Sequence, residues 1–215
     1  NSRRQRPGAW KLLSVWGSLE IPARAPPLLP EVLRGLVKIA LACDLLGIAA
    51  VLAAGFHCIL RTAELLALSP SRVGLNEQGT GVISLDWIKT SAFRGAREMV
   101  TVDDPDVGAL LKAAAARVQA WEPLVGVSAL AFRQFFQWAL ELLELAQFGI
   151  RPYSIRRGGA VHDFRTYHDV EHTLFRGRWS SMRVGRIYIT EGAAALARLR
   201  LPEGTGAKLA KLDTL

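Results

Sequence analysis

Apolar residues recur along most of the chain at intervals of three and four, the spacing that lines one face of an α-helix. From Pro30-Glu31 onward Val32, Leu36, Ile39 and Leu41 are apolar, and Pro30 suits a first helical turn, so a helix is predicted to start there. A second helix is expected over 45–58, and a short third over 61–68, which Ser69-Pro70 brings to an end. Between 72 and 102 the period changes. The runs 73–75, 82–85 and 99–102 are short and β-prone, separated by 76–81 and 91–97, and a small antiparallel sheet fits them. Helical patterns return over 106–119, 128–147 and 153–167, then over the shorter stretches 170–176, 181–189 and 191–200. The predicted fold class is mainly α with a small three-stranded antiparallel β-sheet (α+β). There is no internal repeat.

Residues 1–29 hold no sustained period and carry Pro7, Pro22, Pro26 and Pro27, so they read as a basic arm or linker. Arg3, Arg4, Arg6 and Lys11 are candidate phosphate contacts there, with a solvated tail as an equal alternative. The expected organisation is this arm, one domain over 30–200, and a tail over 201–215 that docks on its own domain or on a neighbouring subunit. The full length of 215 residues suffices for one sizeable core. Lys and Arg number 27 against 19 acids, for a net charge of +8, which favours a polyanionic partner.

The apolar stretch 39–60 raises a membrane reading, but Asp44, His57, Gly47 and Gly55 interrupt it and Arg61 follows at once. Two packed core helices explain it better than a spanning one. Pro7, Gly8 and Lys11 spoil any apolar stretch behind the basic N-terminus, so no signal peptide is read and a soluble, intracellular protein is expected. Cys43 and Cys58 both lie in apolar surroundings and are expected as reduced core residues.

Candidate chemistry centres on two arginines and a late tyrosine. Arg61 opens Arg61-Thr-Ala-Glu64-Leu65, directly after a long apolar run, where few charges are tolerated. A plain i,i+3 surface pair with Glu64 is the bland alternative. Arg156 lies in Tyr153-Ser-Ile-Arg156-Arg157-Gly158-Gly159-Ala160, behind Pro152, where a helix start favours phosphate. Two glycines inside a helix cost roughly 1 kcal/mol each relative to alanine, so they call for a close backbone approach, to a ligand or to a neighbouring helix. Bidentate guanidinium–phosphate geometry suits arginine at both 61 and 156. Lys89 lies between two predicted strands, with Arg94 and Arg97 as nearby candidates for DNA contact. Asp169 is expected to cap a short helix ahead of Trp179. Tyr188 follows Trp179 by nine residues, flanked by Arg178, Arg183 and Arg186. Core packing is the alternative for both aromatic residues.

The order Arg61, Lys89, Arg156, Trp179, Tyr188 resembles the catalytic domain of the tyrosine recombinase (phage integrase) family, from about Pro26 to about Ala195. The resemblance implies DNA strand cleavage and rejoining through a 3′-phosphotyrosyl intermediate, with no cofactor and no metal. Tyr188 would be the nucleophile, Arg61 and Arg156 the phosphate ligands, Lys89 the general acid and Trp179 a donor to the phosphoryl oxygens. Glu64 and Gly159 would support them, with Arg157 among the DNA contacts. Double-stranded DNA is the implied partner, with self-association on it. Tyr153 stands where the family usually has histidine, and a phenol with a pKa near 10 is a poor base at neutral pH. The family normally adds an N-terminal helical domain, so this chain is expected to be a fragment or a member lacking it.

Two other readings compete. Tyr153 in place of histidine fits an integrase-like protein that binds DNA without cutting it. His162, His168 and His172 with Asp163, Asp169 and Glu171 suggest a metal-dependent nuclease, although no paired Cys or His-Glu-x-x-His pattern accompanies them.

Overall fold

The computed structural model describes residues 25–85, 98–179, 181–198 and 200–214. Helix α1 (Pro30–Ala42) has Pro30 at its start and buries Val32, Leu36, Ile39 and Ala40 on one face. Helix α2 (Leu46–His57) is buried from Ile48 to Phe56, on every side, and so forms the axis of the core. The short α3 (Thr62–Leu66) follows, with Arg61 at its N-cap. Strands β1 (Val73–Leu75), β2 (Gly81–Ser84) and β3 (Met99–Val102) form one antiparallel sheet in the order β1-β2-β3. Val73 pairs with Ile83, and Ile83 in turn with Val100, so the sheet turns Ile83, Val100 and Val102 into the core.

Asp104 caps α4 (Pro105–Ala115) through the backbone N–H groups of Asp106 and Val107. Ser128 caps α5 (Ala129–Leu142), which adds Phe132 and Phe136 to the core. Then come α6 (Tyr153–Tyr167), α7 (Val170–Arg176), α8 (Met182–Arg198) and α9 (Glu203–Asp213). The fold is mainly α with a three-stranded antiparallel sheet, as the hydrophobic pattern predicts.

Two boundaries differ from expectation, and the tail takes one of its two expected places. The stretch 128–147 is not one helix: α5 stops at Leu142, Glu144 turns left-handed at φ 60°, and a 3-10 turn covers Ala146–Phe148. The two helices expected over 181–189 and 191–200 are a single α8. The tail is helical and lies on its own domain: the Thr205 hydroxyl donates to the Leu143 carbonyl at 2.7 Å, and Lys38 Nζ donates to the Leu212 carbonyl at 2.6 Å. Cys58 is buried as expected, whereas Cys43, at the C-cap of α1, is exposed, because the chain turns there away from the packed face.

The glycine pair of α6 is explained by packing. A Cβ on Gly158 would stand 2.2 Å from the Leu28 carbonyl oxygen, and one on Gly159 would stand 2.1 Å from that of Phe56. Their absence of side chains lets α6 press against α2 and the entry to α1, which sets where Arg156 falls. None of the helices among the described residues is long and apolar enough to cross a membrane.

Candidate active site

Arg156 is the buried centre of the site. Its side chain, one turn into α6 and 3% exposed, points at the C-terminal ends of two other helices. Nη1 donates to the carbonyl of Ile59, just past α2, and Nη2 donates at 2.6 Å to that of Gly177, just past α7. Helix C-termini carry partial negative charge and free carbonyls, so they hold a cation where burial alone would reject it. Burial, then the nearby cations of Arg178 and Arg61, lower the Arg156 pKa to about 10, which leaves it charged at neutral pH.

Both carbonyls depend on left-handed backbone. Ile59 has φ 50° and Arg178, directly after Gly177, has φ 56°. For a β-branched residue such as isoleucine this conformation costs roughly 1–2 kcal/mol. The strain is kept where it aims a carbonyl at Arg156.

Aromatic residues cover the other side. The Trp179 ring lies 4.7 Å from the Arg156 guanidinium carbon. Tyr188, on α8, packs on Trp179 with ring centroids 5.1 Å apart, and its hydroxyl meets that of Tyr153. Burial first, then the hydrogen bond to Tyr188, pushes the Tyr153 pKa up to about 12. The phenolate that could accept a proton is thus still scarcer at neutral pH here than in water.

Arg61 forms the solvent side, its side chain 39% exposed. Its guanidinium pairs with Glu64, whose other carboxylate oxygen accepts from the Arg61 backbone N–H at 2.7 Å. Glu64 is 1% exposed and so is not the surface partner that sequence spacing alone suggests. It also accepts from Arg178 Nη2 at 2.5 Å. Arg61, Arg156, Trp179, Tyr153 and Tyr188 therefore meet in one place, although they come from α3, α6, α8 and the turn after α7.

Several expected DNA contacts need correction or lie elsewhere. Arg157 is buried and donates to the Ala25 carbonyl at 2.7 Å, with its guanidinium carbon 5.9 Å from the Tyr188 ring, so it packs the underside of the site. Arg178 is 7% exposed on its side chain and is committed to Glu64. Arg183 and Arg186 are exposed on α8. Lys89, Arg94 and Arg97 lie outside the described residues. Gly159 serves the α6–α2 contact.

The histidine cluster separates. Asp169 caps α7, accepting from the backbone of Glu171 and His172. Asp163 accepts from the Thr173 hydroxyl at 2.6 Å and lies 3.2 Å from His172 Nδ1 and 3.5 Å from Arg176 Nε. Among the described residues no group of three or more His, Cys, Asp or Glu side chains is placed to hold a metal.

Sequence reasoning missed a second layer. Arg176 donates Nε to the His57 carbonyl at 3.1 Å and pairs with Asp103 at 2.5 Å. The His57 ring Nε2 accepts from the Asp103 backbone N–H at 3.1 Å and faces Arg176 Nη2 at 2.9 Å. Burial, then the Arg176 charge, lowers the His57 pKa, consistent with a neutral acceptor ring. This layer fastens the 177–179 turn to α2 and to the strand end at Asp103. An arginine two residues before Arg178 was its only sequence signal.

The fold of this chain is shared with solved structures of site-specific recombinases. Among solved structures the chain is similar to a XerH site-specific recombinase bound to palindromic difH substrate in a post-cleavage complex, with a TM-score of 0.63, 15% identity, and 80% of this chain against 51% of that one. A pre-cleavage complex of XerH with difH gives a TM-score of 0.60 at 16% identity, over 80% of this chain and 54% of that one. The XerA recombinase gives 0.57 at 15%, over 83% and 66%. The chain thus spans about half the length of the XerH chains. No family model and no curated protein matches the sequence.

Proposed function

We propose that the chain cleaves and rejoins strands of duplex DNA through a covalent bond between Tyr188 and a 3′ phosphate. The observation that supports this is the meeting of Tyr188, Trp179, Arg156 and Arg61 in a fold shared with proteins described as site-specific recombinases. In this reading the Tyr188 phenol oxygen attacks phosphorus. Arg61, which is open to solvent, binds the phosphoryl oxygens from outside, and Arg156 lends them its charge from within. The leaving 5′ oxygen takes a proton from Lys89. A second 5′ hydroxyl then attacks the phosphotyrosine and frees the phenol, so the bond energy is conserved and the scheme calls for neither a metal nor a nucleotide cofactor.

The partner would be double-stranded DNA, approached by Arg183, Arg186, Arg94 and Arg97, with self-association as a dimer or tetramer on it. The protein would act where the cell keeps that DNA, in the nucleus of a eukaryote or the nucleoid of a prokaryote. Residues 30–200 would form the catalytic unit, 1–29 an arm, and α9 a docked extension.

One observation favours a second reading, DNA binding without cleavage. Tyr153 touches the Tyr188 hydroxyl, yet with a pKa about 12 it is ill suited to take a proton. Incubation with nicked suicide duplexes separates the two. The parent protein should give an SDS-resistant protein–DNA adduct, and Tyr188→Phe should bind the same DNA and give none. An adduct with the phenylalanine variant would move the nucleophile elsewhere, and no adduct with the parent would favour the binding-only reading.

A further inference from the structure

Arg61, Glu64, Arg178 and Glu98 close a ring of alternating charge. Two of its sides are tight and two are loose. Glu64 is buried, and its two oxygens take Arg61 Nη1 and Arg178 Nη2 at hydrogen-bonding distance. Glu98 is held loosely: its Oε2 lies 3.5 Å from Arg178 Nε and 3.9 Å from Arg61 Nη1. Neither Glu98 Oε2 nor Arg178 Nε has a hydrogen-bond partner among the described residues, though both atoms are shielded from solvent. The Glu98 side chain as a whole is 37% exposed, and its backbone is fixed to the sheet by the Leu85 N–H at 2.8 Å.

Buried donors and acceptors are ordinarily paired, and an unpaired charged one is costly. Here an unused arginine donor faces an unused carboxylate oxygen across a gap too long for a good bond. Such a gap suits a larger tetrahedral anion, whose oxygens reach both guanidinium groups together.

We propose that Glu98 is a resident carboxylate standing in the place of a phosphodiester, which displaces it and takes Arg178 Nε as a further phosphate ligand beside Arg61. Exchange of one monoanion for another leaves the charge of the ring unchanged, so Glu64 and Arg178 need not rearrange. Arg178 is thereby a buried phosphate ligand, not the surface DNA contact its sequence position suggests. The inference rests on reading this cluster as a phosphate site, but its test needs no cleavage.

The probe is dimethyl phosphate, titrated into the full chain while the Trp179 indole N–H resonance is followed. A resident carboxylate competes with the probe, so Glu98→Gln should bind dimethyl phosphate more tightly, by roughly five- to tenfold for one close like charge partly screened by water. Glu141→Gln, an equal charge change on α5, should bind as the parent does. The gain from Glu98→Gln should disappear when Arg178→Met is added, provided the double variant keeps the parent's circular dichroism. If it unfolds, Arg178→Lys, which lacks Nε, serves instead. A Glu98→Gln variant that binds like Glu141→Gln, or more weakly, overturns the proposal. If the parent forms no adduct on suicide DNA while Glu98→Gln still gains affinity, the anion site stands and the strand-cleavage reading falls. If the adduct forms and affinity does not change, the displaced carboxylate alone is wrong.

Discussion

Gly159→Ala should destabilise the protein, although alanine is the better helix former. The Cβ it adds would stand 2.1 Å from the Phe56 carbonyl oxygen and 3.0 Å from the carbonyl carbon, whereas ordinary contact begins at 3.4 Å. Helices α2 and α6 must therefore separate by about 1.3 Å at that point. The obstacle is backbone, which cannot swing aside as a side chain can. Overpacking of this kind costs about 1–3 kcal/mol, against a propensity gain of about 1 kcal/mol, so a net loss of up to about 2 kcal/mol is expected. Gly206 supplies the control. It lies inside α9 with nothing within 4 Å of an added Cβ, so Gly206→Ala should stabilise by about 0.5–1 kcal/mol. Urea unfolding followed by circular dichroism measures both, and the midpoints should shift in opposite directions. A Gly159→Ala midpoint that rises as the Gly206→Ala midpoint does would refute the close approach. The same separation would draw Arg156, three residues earlier on α6, away from the Ile59 carbonyl, so on the proposed function DNA cleavage should suffer beyond the loss of stability.

Tyr153→His should leave affinity for duplex DNA nearly unchanged and raise the rate of strand cleavage, measured as adduct formed per minute; loss of activity would show that the phenol is specifically fitted to Tyr188. His57 governs an acid limit. Because its folded pKa lies below the ordinary value of 6.5, the folded state binds fewer protons than the unfolded chain. Its contribution is fully present above pH 6.5 and declines as pH falls from there toward the folded pKa. His57→Gln, which retains an acceptor, should flatten the part of the thermal-stability profile that falls between pH 7 and 5; an unchanged slope would assign that loss to other groups.

The fold was largely legible because helical period and strand alternation are local signals. Breaks that depend on one backbone angle were not. Nothing in Glu144 announces φ 60°, and isoleucine argues against the left-handed turn that Ile59 adopts. Arg61, Arg156, Trp179 and Tyr188 could be named from order and spacing; in the fold Arg156, Trp179 and Tyr188 pack in a row, and Arg61 joins that group through Glu64 and Arg178. Their partners could not be. Glu98 and Gly177 are remote in sequence from the groups they face, and Arg156 is held by the main-chain carbonyls of Ile59 and Gly177 and the ring face of Trp179, contacts that carry no spacing rule. Arg157 and Arg178 looked like surface cations because net charge says nothing about burial.

The grip on Arg156 is written in carbonyls, and every amino acid has one. A change of residue at 59 or 177 leaves the acceptor oxygen in place, although any side chain at 177 must first displace the Trp179 ring, which would stand 1.8 Å from its Cβ. What the grip does not tolerate is a change of chain path. A proline at 178, whose ring fixes φ near −65°, would redirect the Gly177 carbonyl and release one side of the guanidinium with no contacting side chain deleted. Arg61 is the opposite case, because its anchor is the Glu64 carboxylate and one substitution removes it. The two arginines therefore drift under different rules: one constrained through the geometry of its neighbours, the other through their chemistry.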